Sequence, residues 1–291
     1  MEGPLTGLPG ASSDAGEGPV VVALLDRLLL APGSAADARR HAGAWYADLV
    51  GPLLVPAPAI AALQAELDPT QRGLRIALVA QPGSGDPAGL VGLREARDRL
   101  LDDDRLELTG VHLPLPGRTA PAAAMHELLG ELDFTVPAWI ELPPTPGWEG
   151  ALAVLAADGP ERLALRLPDD DGAADAGDPG APDDAPRAAE IVRAAVDRDL
   201  SVRVTGAGQA PASTRATLAA LCGVRAALNG AEAPEIAAIL TERGLAPLTA
   251  ALRRMSDADA AVARAFLDGV VVTGVEAIVR DLVELGLVSA G

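Results

Sequence analysis

Ala138-Trp-Ile-Glu-Leu142, Trp148-Glu-Gly-Ala-Leu-Ala-Val-Leu-Ala-Ala157 and Arg162-Leu-Ala-Leu-Arg-Leu167 decide the fold. The first and third runs are short and extended in character. The second is longer, rich in Ala and Leu, and bounded by Gly147 and by Gly159-Pro160. Strand, helix, strand in this order is the repeating unit of a parallel sheet, because parallel neighbours need a crossover between them.

Working outward, the unit recurs. Strands are expected at Val20–Ala23, Pro52–Val55, Leu74–Ala80, Leu106–His112, Ala138–Leu142, Arg162–Leu167, Ser201–Thr205 and Gly269–Val272. Helices are expected at Asp37–Val50, Ala59–Leu67, Leu90–Leu101, Ala122–Leu132, Trp148–Ala157, Arg187–Arg198, Thr214–Leu228 and Val275–Leu285, with extra helices across Pro234–Asp268. Eight such units imply closure into a (β/α)8 TIM-barrel-like α/β fold, with the extra helices between the seventh and eighth strands. An open, doubly wound parallel sheet is the alternative. A barrel needs roughly 250 residues, so the 291 residues read as one domain over 20–291 after a disordered tail at 1–19. A mobile acidic loop is expected at 169–186, where Asp, Gly, Ala and Pro dominate.

Composition removes several chemistries. Aromatic residues make up 2% of the chain against 49% hydrophobic residues overall, so the core must be built from Ala, Leu and Val. The net charge of −18 argues against nucleic-acid and anionic-membrane partners, which need a basic footprint. All 23 basic side chains are Arg. Without lysine there is no Schiff-base chemistry and no Walker A loop. A single cysteine, Cys222, excludes an intramolecular disulfide and fits a reducing, cytoplasmic setting. No apolar run reaches the roughly 18 residues of a membrane span, and no basic segment precedes the first apolar run as a secretory signal would require.

Period-two patterning assigns the strand faces. Trp139 and Glu141 oppose Ala138, Ile140 and Leu142. Arg162, Ala164 and Arg166 oppose three leucines, and Ser201, Arg203 and Thr205 oppose Val202 and Val204. With the apolar faces turned to the helices, Glu141, Arg166, Arg203 and Thr205 are expected to converge at the C-terminal mouth, where barrel enzymes place their sites. Two guanidiniums there could grip a phosphate or carboxylate, with Glu141 as a base. The same residues could equally form an internal ion-pair network, which a barrel lumen requires of its charges. Gly206 and Gly208 follow the seventh strand and could offer backbone amides to a phosphate. However, Pro211 stands where a dinucleotide loop needs its third glycine, so a plain strand-to-helix turn is the simpler account. His41, His112 and His126 have no metal-ligand spacing, and the acidic loop is no EF-hand, so no metal and no cofactor is expected. His112 stands out among them only because it ends a strand. Cys222, among Leu218, Leu221 and Leu228 on a helix, reads as a small core residue.

Ala44-Trp-Tyr-Ala-Asp-Leu-Val-Gly-Pro52 with Val55-Pro56, the opening Leu25-Asp26 with Ala31-Pro32-Gly33, and the closing Asp281-Leu-Val-Glu-Leu-Gly-Leu287 resemble an uncharacterised actinobacterial family of roughly 300-residue α/β-barrel-like proteins. The resemblance implies a barrel and no established activity. It also implies departures. Where relatives carry a lysine and a glycine pair on and after the sixth strand, this chain has Ala164 and Pro168-Asp169. Gln209 and Ala210 stand at a histidine pair, and Val270-Val271-Val272-Thr273 at a polar Phe-Gly-Ser-Cys stretch. The expectation is therefore a non-catalytic or catalytically degenerate barrel acting as a binding or scaffold subunit, with itself or a paralogous subunit as partner. The alternative is an enzyme or sensor for an anionic small molecule held by Arg166 and Arg203.

Overall fold

The computed structural model describes residues 24–70, 72–83, 86, 88–116, 119–142, 145–158, 162–166, 184–205, 212–272 and 274–290. Eight parallel strands form a nearly closed barrel with alternating helices. The strands are β1 (Leu29–Leu30), β2 (Leu53–Pro56), β3 (Leu74–Val79), β4 (Leu106–Pro114), β5 (Ala138–Leu142), β6 (Arg162–Arg166), β7 (Val202–Thr205) and β8 (Leu267–Val271). Their order around the sheet is β1-β8-β7-β6-β5-β4-β3-β2. The ends meet where Gly51 N donates to Leu29 O at 2.9 Å and Leu54 N to Ala31 O at 2.8 Å. Closure rules out the open doubly wound alternative.

The helices are α1 (Ala35–Ala42), α2 (Ile60–Glu66), α3 (Leu90–Leu100), α4 (Pro121–Glu131), α5 (Trp148–Asp158), α6 (Asp184–Val196), α7 (Thr214–Leu228), α8 (Ala233–Leu240), α9 (Leu245–Arg253), α10 (Asp257–Phe266) and α11 (Val275–Glu284). The extra helices between β7 and β8 are α8, α9 and α10. They pack on α7, which is why 11 of its 15 residues are buried. Local chemistry sets the ends. Ser256 accepts from Asp259 N and Asp259 reaches back to Ser256 N, closing a capping box at the start of α10.

Several boundaries differ from expectation, four of them with a structural consequence. The first strand is Leu29–Leu30, whereas the segment expected to form it, Val20–Ala23, lies outside the described residues, as does 1–19. The helix expected over Asp37–Val50 starts at Ala35 and stops at Ala42, because Ser34 caps it and Gly43 follows; a 3-10 turn at Ala47–Leu49 resumes the chain. Of the segment expected as an acidic loop, 184–186 are already helical in α6, and the remainder lies outside the described residues. The eighth strand starts two residues early, at Leu267, which draws Asp268 into the sheet.

The main core lies between strands and helices and is almost wholly Leu, Ala, Val and Ile. A second, small cluster of Leu30, Leu54 and Ala77, with Val79 and Val271 against it, fills one side of the barrel lumen. No described helix is long and apolar enough to cross a membrane.

The α3–β4 turn is tied by charge. Asp103 accepts from Arg105 Nε and Nη2, both at 2.8 Å, and from Gln64 at 2.9 Å. The Arg105 guanidinium, with Gln64 and the Arg105 amide, lowers the Asp103 carboxyl to about 2 from an ordinary 3.8. A carboxylate depressed on folding stabilises the native state fully above its unfolded value and loses that contribution as pH falls toward the folded one. Acid titration of unfolding free energy should therefore show a loss between about pH 4 and 2 that Asp103→Asn removes; coincident curves would contradict this role.

Candidate functional site

Alternation places Leu30, Leu54, Ala77, Gly110, Trp139, Ala164, Arg203 and Gly269 in the lumen. Two residues on, toward the C-terminal mouth, the inward positions are Pro32, Pro56, Val79, His112, Glu141, Thr205 and Val271, with Pro114 beyond His112. His112 Nε2 lies 3.7 Å from Glu141 Oε2, with both side chains largely buried. Thr205 Oγ1 donates to Leu165 O at 3.3 Å. Arg166 pairs in register with Thr205. Gly206 and Gly208 lie outside the described residues.

Arg203 does not join this group. It is the second residue of β7, and its side chain, 3% exposed, lies toward the N-terminal mouth. There Nη2 donates to Asp268 Oδ2 at 2.6 Å, while Arg162 Nη1 reaches Asp268 Oδ1 at 3.1 Å. An internal ion-pair network joins Arg203 and Arg162 to Asp268. The guanidinium carbon of Arg203 sits 3.4 Å from the centre of the Trp139 ring and that of Arg162 5.3 Å from it. Burial pulls the Arg203 pKa down, and Asp268 opposes that pull.

These residues line a cavity of about 200 Å³. Most lining residues belong to, or directly precede, the N-terminal half of a strand. Arg27 precedes β1, Arg75 is the second residue of β3, and Arg264 lies just before β8. Five arginines (Arg27, Arg75, Arg162, Arg203, Arg264) and one aspartate (Asp268) line this space. Arg264 directs its donors to the carbonyls of Asp26, Leu267 and Asp268. Arg203 Nε and Nη1 and Trp139 Nε1 are buried with no acceptor among the described residues. A buried donor without a partner costs about 1–3 kcal/mol, so this arrangement is expensive unless something fills the cavity.

A larger cavity, about 630 Å³, lies outside the barrel between α7, α8 and α9 and includes Cys222. Burial pushes the Cys222 thiol up to about 11. The native protein should therefore resist Ellman's reagent at pH 8 and react only on unfolding; fast labelling of the folded chain would contradict the core role. Among the described residues no group of three or more His, Cys, Asp or Glu side chains could hold a metal ion.

No family model matches the chain, and no curated protein matches it.

Missed from the sequence were Asp268, Trp139 as a stacking platform, and the trio Arg27, Arg75 and Arg264. No sequence signal gives Arg203's direction, because it stands at the centre of the strand expected over Ser201–Thr205.

Proposed function

We propose that the chain is a binding or scaffold barrel that has given up turnover at its C-terminal mouth. One observation carries the reading. Pro32, Pro56, Val79, Pro114 and Val271 occupy inward positions at the strand ends, where barrel enzymes place catalytic side chains. Proline has no backbone N–H, and none of these side chains can transfer a proton or hold a charge. The departures implied by the family resemblance, at Ala164 and Val270–Thr273, point the same way. A second copy of the chain or a paralogous subunit is the partner this reading favours.

The 3.7 Å approach of His112 to Glu141 supports a second reading, an enzyme with these two as acid and base. Incubating the protein with a mixture of sugar phosphates and carboxylates, followed by mass spectrometry, separates the two. The first reading expects no conversion above a buffer blank. Conversion that disappears in Glu141→Gln while the fold is retained would overturn it in favour of the second.

A further inference from the structure

We propose that the N-terminal mouth of the barrel binds a small oxyanion, a phosphate or carboxylate group on a molecule that fits a cavity of about 200 Å³. The site is independent of any chemistry at the opposite mouth.

Two observations converge on an anion. The first is charge. The chain as a whole has 41 acidic residues against 23 basic ones, yet five arginines and one aspartate line this cavity. Arg75 makes no ion pair among the described residues. The second is hydrogen bonding. Among the described residues six buried side-chain atoms lack a partner, and three of them are N–H groups on Arg203 and Trp139, two residues in stacking contact at the cavity wall. All three are donors, so what they lack is an acceptor. A neutral polyol would supply acceptors but would leave the guanidinium excess unanswered. An oxyanion answers both, because its oxygens accept from guanidinium N–H groups and its charge offsets theirs.

A purely architectural role for Arg203 is the competing account. Stacking on Trp139 and pairing with Asp268 would explain one donor and one ring face. It leaves Nε and Nη1 buried without acceptors, and it gives no reason for Arg75 to line the same space.

The test is calorimetric titration of the full chain with inorganic phosphate and, separately, with succinate, each against sodium chloride at matched ionic strength. At least one probe should give saturable heat, with a rise in Tm that follows occupancy. Comparing the two arms tells phosphate recognition from dicarboxylate recognition. Arg75→Gln, which breaks no ion pair among the described residues, should weaken binding about tenfold or more, the loss of one charge-assisted contact. Arg203→Met should abolish it. Because Trp139 lies under Arg203, tryptophan fluorescence should change along the same isotherm, and Trp139→Phe should lose that change. No saturable binding of either probe up to about 10 mM would overturn the proposal. So would heat unchanged in Arg75→Gln, or an equal response to chloride.

Discussion

Asp268→Asn should lower the unfolding free energy by about 3–5 kcal/mol, the cost of breaking a buried ion pair from one side. For a chain of this size that corresponds to a fall in Tm on the order of 10 °C. The magnitude follows from Arg203. Its side chain is 3% exposed, it stacks on Trp139, and Asp268 is its only acceptor among the described residues. Removing the carboxylate leaves a guanidinium in the lumen with no counter-charge and with Arg162 and Arg264 nearby. The double variant Asp268→Asn/Arg203→Met separates the pair from its parts. If the loss comes from the stranded charge, adding Arg203→Met to Asp268→Asn should recover stability, and the two changes should be strongly non-additive. A single variant as stable as the parent in urea titration would show that Asp268 does not hold the cluster.

Gly110→Ala should cost about 3 kcal/mol, at the upper end for overpacking. A Cβ on Gly110 would sit 2.1 Å from Trp139 Cζ3, 3.0 Å from its Cη2 and 3.0 Å from Pro137 O. The carbonyl belongs to the sheet, and the ring is held from its face by Arg203, so neither can give way cheaply. Gly269→Ala is the internal control. There the close atoms are Leu30 Cδ1 at 2.5 Å and Cγ at 2.8 Å, one aliphatic side chain with no backbone atom and no stacked ring, and the loss should be smaller. Adding Trp139→Leu should remove most of the penalty at Gly110. If Gly110→Ala is as destabilising in that background as alone, the ring is not the cause.

Much of the barrel was legible because its middle strands alternate. In β5, β6 and β7 one face is wholly apolar and the other mixed, so period two assigned both strand and face, and the observed limits fall within one residue of those expected. β1 was not legible. Leu28-Leu29-Leu30 is a continuous apolar run with no alternation, and only Leu29 and Leu30 enter the sheet. The site was half legible. Alternation placed Arg203 in the lumen but carried no information about which mouth its long side chain would turn to. Asp268 was hidden because α10 ends at Phe266 and β8 begins at Leu267, with no turn residues to mark the change. The approach of His112 to Glu141 depends on the register of β4 against β5, a long-range property that neither strand states alone. The orphaned donors of Arg203 and Trp139 are visible only after every acceptor in the neighbourhood has been placed.

The short first strand bears on how the chain folds. Seven of the eight strands, β2 through β8, lie in the sheet in chain order, so each can dock on its predecessor by a local step. β1 alone must find a partner at the far end of the sequence, Leu29 opposite Val270 and Leu30 opposite Val271. Its other edge meets β2 only through isolated bridges, at Leu29–Val50 and Pro32–Leu54. Bringing such distant segments together has the largest loop-closure cost in the molecule and gains the fewest ladder bonds in return. Ring closure is thus expected to come last in assembly, and the backbone amides of Gly51 and Leu54, which bond across the β1–β2 seam, should exchange with solvent before those of the β3–β4 ladder.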